Sequence, residues 1–130
     1  MRMKRTFAAC VAVTLMLGSF CVASAKNVTI HLGYSNVTNK KILAYYINDS
    51  GNNQTLIFNT RPTSGQPGAV VRVERASDGG LIGKHTFPYQ MDIPDWSVVV
   101  PKDVTGNIYI KAADTAYPVS GNLKYIYPTE

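Results

Sequence analysis

His31 and His85 are the residues whose chemistry would be most telling, and they stand 54 positions apart. Imidazole acts as a general base, a proton shuttle or a metal ligand near neutral pH. Neither histidine belongs to an H-x-x-x-H or comparable ligand spacing. Both fall in stretches of strand character, where a histidine is ordinarily solvent-facing or hydrogen-bonded. A Ser–His–acid triad needs its members close only in space. Yet no serine sits in a G-x-S-x-G elbow, and Ser50, Ser64, Ser77 and Ser120 occupy turn-like stretches that favour serine for local hydrogen bonding.

The carboxylates offer a second chemistry. Asp92 and Asp95 bracket Ile93-Pro94 just before Trp96, and Asp49 is followed by Asn52 and Asn53. Oxygen-rich loops of this kind hold Ca²⁺ or bind sugar hydroxyls. Neither has the alternating ligands and closing glutamate of an EF-hand, and turn closure by Asp and Asn side chains explains both equally well. Calcium at Asp92, Asp95 or Asp49 is the one cofactor suggested, and none is expected to be required. Paired glycosidase carboxylates are disfavoured, because Glu74 is the only glutamate away from the C-terminus.

Aromatic content is the third resource. Beside Trp96 the sequence has eight tyrosines. Tyrosine joins an apolar ring to a polar tip and suits recognition of sugars or proteins. It also favours strands and pairs across them. Tyr89 and Tyr117 adjoin Pro88 and Pro118 in expected loops, and Trp96 stands at a strand entrance. These three, with Arg61 in a Pro/Gly-rich stretch, are the expected recognition residues.

The elements that must carry these side chains are strands. Val28, Ile30, Leu32 and Tyr34 alternate with Thr29, His31 and Gly33, the period of a half-buried strand. Ser35–Lys41 reads as a turn, Ile42–Ile47 as a strand with Tyr45 and Tyr46 on opposite faces, and 48–53 as turn formers. Gln54–Asn59 is a third strand. Thr60–Gly68, holding Pro62, Gly65, Pro67 and Gly68, reads as a surface loop. Ala69–Arg75 alternates, with Ala69, Val71 and Val73 on one face. Asp78-Gly79-Gly80 is the clearest hairpin signal, returning through Leu81–Phe87. Ser97–Val100 has the composition of a strand buried on both faces. Thr105-Gly106-Asn107 reads as a turn into Ile108–Ala112. Tyr117-Pro118 and Ser120-Gly121-Asn122 read as another turn region before Leu123–Tyr127, which stops at Pro128. No window sustains helical periodicity over three turns. The pattern predicts an all-β antiparallel β-sandwich of seven to nine short strands in one domain.

Met1–Ala25 differs from the rest. Arg2, Lys4 and Arg5 precede an apolar run over Phe7–Val22, and Ala23-Ser24-Ala25 supplies small residues for a peptidase. This is the grammar of a secretory signal of bacterial style. The run is short for a membrane anchor, and Phe20 before Cys21 is a poor neighbour for lipid attachment. Cleavage would leave 26–130 without cysteine, since Cys10 and Cys21 lie in the signal. That excludes thiol catalysis, Cys-ligated zinc and iron–sulfur chemistry from the remaining chain. Removing three of the 13 basic residues leaves ten against eight acidic ones, too even a balance for a nucleic-acid surface. Asn27, Asn36, Asn48 and Asn53 head N-x-Ser/Thr triplets that matter only in a eukaryotic secretory route.

Three functions fit. The first is a secreted or periplasmic non-enzymatic binding module presenting Tyr89, Trp96 and Tyr117 to a glycan or protein surface. A fibre subunit is a variant of it, requiring an exposed terminal strand edge such as Lys26–Tyr34. The second is a periplasmic inhibitor or immunity-type protein that plugs a partner enzyme with the 60–68 loop and Arg61. The third is a small hydrolase using His31 or His85. Nucleic acid and a stable membrane span after signal cleavage are not expected, and oligomeric state is left open.

Overall fold

A computed structural model describes residues 26–129. The secretory-signal reading of 1–25, including both cysteines, falls outside the described residues. The rest is all-β: eight strands in two four-stranded antiparallel sheets and no helix. The strands are β1 (Lys26–Val37), β2 (Lys41–Ile47), β3 (Gln54–Ser64), β4 (Gly68–Arg75), β5 (Leu81–Pro88), β6 (Trp96–Val100), β7 (Thr105–Ala112) and β8 (Val119–Thr129). One sheet has the order β1-β8-β3-β6 and the other β2-β7-β4-β5.

The core lies between the sheets and follows the period-two pattern. Leu56 and Phe58 of β3 meet Ala69, Val71 and Val73 of β4, Phe87 of β5, Ile108 and Ile110 of β7, and Leu123 of β8, all fully buried. Burying each of these side chains larger than Ala69 is worth about 1.5–3 kcal/mol. In a cysteine-free stretch, packing and ladder hydrogen bonds carry the stability. The β4–β5 hairpin closes at Asp78-Gly79-Gly80 as its sequence demands. Gly79 has φ 74°, and the Gly80 N–H donates to Asp78 Oδ1 at 2.8 Å.

Several local expectations give way to the sheet, the simplest being two strand ends: β1 runs on through 35–37, and β8 runs past Pro128, paired with Asn27, to Thr129. The 60–68 loop shrinks to Gly65–Pro67, because β3 continues to Ser64 and pairs Pro62 with Gly121. Proline is tolerated there for a specific reason. β6 pairs with β3 only as far as Phe58, and the Pro62 carbonyl accepts Gln90 N–H at 3.2 Å on the side β6 has left. N and O of one strand residue point the same way, so the donor that Pro62 lacks is not needed by β8. Ser97–Val100 is buried on one face only. It is an edge strand in which Val99 is 48% exposed. Thr105-Gly106-Asn107 and Ser120-Gly121-Asn122 lie within β7 and β8. These are inner strands with a neighbour on each side, and the turns fall earlier, at 101–104 and 113–118. Gly121 is small because the Tyr34 ring crosses it. Tyr34 there donates to Thr60 Oγ1 at 2.7 Å, and Thr60 donates on to the Asn122 carbonyl at 2.7 Å. Burial raises the Tyr34 pKa, against the smaller opposite effect of the Thr60 bond.

Candidate functional site: a groove at one end of the sandwich

Three connections meet where β3 ends. They are the Gly65–Pro67 turn, the segment after β5, and the segment between β7 and β8. Backbone hydrogen bonds fasten them together. Tyr89 N–H donates to Pro67 O at 2.9 Å, Ala113 N–H to Gly68 O at 2.9 Å, and Tyr117 N–H to Asp114 O at 3.0 Å. Asp114 also accepts the Ala116 N–H at 2.9 Å. Gly65, at φ 89°, lies so near the next connection that a Cβ there would fall 2.5 Å from Pro118 O. The result is an open groove of about 610 Å³ lined by Ser64, Gly65, Gln66, Pro67, Tyr89, Asp114 and Tyr117. Tyr117 is 56% exposed and Tyr89 half-buried.

The structure therefore brings Tyr89 and Tyr117 together, with the turn that remains of the expected 60–68 loop between them. Arg61 stands one step away. Its guanidinium pairs with Asp92 at 3.2 Å, both side chains being largely exposed, and reaches the Gln90 carbonyl at 3.5 Å. Asn59 donates to Asp95 at 2.6 Å. Asp92 and Asp95 thus each clip the 89–95 segment to the free margin of β3. They bond to separate β3 residues and do not converge on one point. Asp49 sits at the far end of β3, lining a second groove of about 440 Å³ with Tyr46, Gln54 and Tyr127. No three His, Cys, Asp or Glu side chains gather as a metal site among the described residues.

Trp96 is not part of the groove. It faces inward from β6 and packs on Phe58, with centroids 5.5 Å apart, and on His85, at 5.7 Å. An aromatic at an inward position of an edge strand gains more by covering the core margin than by facing water. His85 is held between Trp96 and the edge of Phe87. His31 is exposed on β1, opposite Lys124. The histidines thus occupy different sheets, and no Ser or carboxylate side chain bonds to either among the described residues.

Two buried polar residues have little or no signature in the sequence. Asn48 is 1% exposed. Its amide donates to Asn52 O, Val100 O and Pro101 O at 2.8, 2.9 and 3.1 Å, while its oxygen accepts from Ser50. Glu74 has a side chain 5% exposed and is held by Lys40 at 2.9 Å and Arg72 at 2.8 Å. Burial would raise the Glu74 pKa, but hydrogen bonds and charge from Lys40 and Arg72 outweigh it and the net shift is downward. A run of turn formers is only a weak signal for Asn48. For Glu74 there is none, since Lys40 is remote in sequence.

No protein-family model matches this sequence, and no curated protein matches it either. Solved structures do resemble it in fold. A protein of Bacillus endospore appendages, described as disulfide-linked pili, superimposes with TM-score 0.53 at 12% identity, over 86% of this chain and 97% of that one. The Aeromonas hydrophila protein PliG, a periplasmic inhibitor of g-type lysozyme, gives TM-score 0.48 at 12% identity, over 81% and 88%. A structure of infectious bursal disease virus gives 0.44 at 10%, over 83% of this chain and 33% of that one. At these identities the likeness is one of fold.

Proposed function

We propose that this chain is a small non-enzymatic binding module, exported to the periplasm or cell exterior, that docks a segment of a partner protein in the groove between Tyr89 and Tyr117. One observation carries the reading. Two tyrosines from different connections line one open groove, and main-chain hydrogen bonds preform its floor. Preformed aromatic surface binds without a large ordering cost, and tyrosine is enriched at protein interfaces. The plug reading loses its long loop, since Gly65–Pro67 is a short turn seated against Pro118 and Val119. An inhibitor acting at this end would use the groove itself. The hydrolase reading gains no support from two histidines held apart in different sheets.

The test is a pull-down from secreted and periplasmic fractions, with a glycan array run beside it. The wild type should retain a protein partner that a Tyr89→Ala/Tyr117→Ala variant of intact fold loses. Retention by the double variant would remove the groove as the site. Glycan binding that both tyrosines support, with no protein retained, would replace the protein reading.

A further inference from the structure

A sandwich of two open sheets has four edge strands, and three of these are protected against pairing with another chain. β1 presents Asn27, Thr29 and His31 outward, starts with Lys26 and loses register between Tyr34 and Val37. β6 is five residues long and lies between Pro94 and Pro101. β5 carries exposed Lys84 and Thr86. Charges, prolines, bulges and short length are the usual defences of a sheet edge.

β2 has one irregularity, between Ile42 and Ala44, and from Ala44 to Ile47 it runs in register with no charge, proline or bulge. No charge or proline falls between Lys41 and Asp49, and Ile42, Tyr45 and Ile47 are 41%, 65% and 66% exposed. Ile42 pairs with Tyr109, Tyr45 with Asn107 and Ile47 with Thr105, while the fully buried Ile108 and Ile110 point inward from β7. All three exposed residues therefore share the outer face. The irregularity between Ile42 and Ala44 is what returns Ile42 to that side.

Among the described residues the main chain of Tyr45 and Ile47 is open too. Thr105 turns its carbonyl to β4, accepting Ala76 N–H at 2.8 Å, while Asn48 donates to Val104 O at 3.1 Å and accepts from Asp103 N at 2.9 Å. Strand alternation then points the N–H and C=O of Tyr45 and Ile47 away from β7, to the free edge. We infer that β2 is a self-association edge, pairing antiparallel with β2 of a second copy of this chain about a two-fold axis at Tyr46. That register sets Tyr45 opposite the partner's Ile47 and Ile47 opposite the partner's Tyr45. It supplies main-chain bonds from the four open residues and two aromatic–β-branched cross-strand pairs. It also brings the Asp49 end of one strand to the Lys41 end of the other, whereas a parallel pairing would set like charges together. The edge is self-complementary, as an isologous contact requires, and it uses no residue of the groove.

The test is sedimentation equilibrium on the exported protein over about a hundredfold range of concentration. The wild type should shift reversibly from monomer toward dimer. Tyr45→Lys and Ile47→Lys should each weaken association at least about tenfold, by placing charge in the paired edge. Leu81→Lys, at a comparably exposed residue on β5, should leave association unchanged, and far-UV circular dichroism should find all three variants folded. A mixture of Tyr45→Cys and Ile47→Cys chains should cross-link to the mixed dimer through a short bis-maleimide, which adds one thiol at each end, in preference to either chain alone. A wild type that stays monomeric would overturn the inference, as would lysine variants that associate like the wild type or a Leu81→Lys variant that loses association equally. Cross-linking of either chain alone at the mixed rate would overturn the register.

Discussion

His85 and Trp96 stack with centroids 5.7 Å apart and ring planes 13° from parallel, although one belongs to β5 and the other to β6. The pair joins the margins of two sheets that share no ladder there. It belongs to a continuous run of rings that starts at Phe87, 4.8 Å from His85. From Trp96 the contacts pass to Phe58, Tyr125, Tyr127 and Tyr46 at spacings of 5.5, 5.6, 6.1 and 5.5 Å. The run crosses the inner face of one sheet and meets the other sheet at both ends, on β5 and on β2. Aromatic packing thus closes both open sides of the sandwich.

Trp96→Ala should therefore destabilise the fold strongly without touching recognition. Removing the ring strips contacts from Phe58 and His85, and Gly83 beneath it cannot fill the gap. A loss of about 3 kcal/mol is expected, the low end for a large aromatic because Trp96 is only partly buried. Denaturant unfolding followed by far-UV circular dichroism measures it. Partner capture by the folded variant should match wild type. Loss of capture at full stability would return Trp96 to the site.

Glu74 should make the protein acid-sensitive. Its folded pKa lies below the ordinary carboxylate value, because the hydrogen bonds and charges of Lys40 and Arg72 overcome its burial. The ionised carboxylate therefore contributes stability that is complete above the ordinary value of about 4.5 and is lost as pH falls through the folded one. Glu74→Gln should cost about 1.5–3 kcal/mol at neutral pH. The cost sits toward the lower figure because Lys40 is 41% exposed and water screens its share. Stability measured from about pH 7 to pH 2 should fall less steeply in the variant than in wild type. Parallel curves would show that Glu74 contributes nothing to acid unfolding.

Alternation made the strands legible where one face meets the core and the other meets water. Val28 to Tyr34, Ala69 to Val73 and Ile108 to Ala112 show it, and Asp78-Gly79-Gly80 marked its hairpin. The readings failed where local turn chemistry met a sheet neighbour. Pro62 and Gly121 both look like turn residues, yet they pair with each other. One stands where β6 no longer needs a donor and the other where Tyr34 needs room. The same limit shaped the site. Tyr89 and Tyr117 announced themselves by their adjoining prolines, but only the meeting of three connections sets them in one groove. Trp96 was read as exposed from its place at a strand entrance, yet Phe58 and His85 hold it inward. The exposed edge of β2 was visible only as an apolar run, because which strands end a sheet is a property of topology.

Gly65 supplies a test of whether the groove is built by close approach of its connections. An alanine there must adopt φ 89° and place its Cβ 2.5 Å from Pro118 O and 2.8 Å from Val119 Cα, so backbone has to move. Gly51 is the control, with φ 83° and nothing within 4 Å of the methyl an alanine would add. Gly51→Ala should cost only the conformational strain, about 1 kcal/mol. Gly65→Ala adds the clash and should cost roughly 2–3 kcal/mol. The structural consequence differs as well. Relief at Gly65 comes by pushing the 113–118 connection outward, which carries Tyr117 away from Tyr89 and should weaken partner capture in chains that remain folded. Thermal unfolding of both variants gives the energetic difference, and capture at a temperature where both are native gives the functional one. Equal destabilisation of the two variants, with capture preserved in each, would mean that the contact with Pro118 and Val119 does not shape the groove.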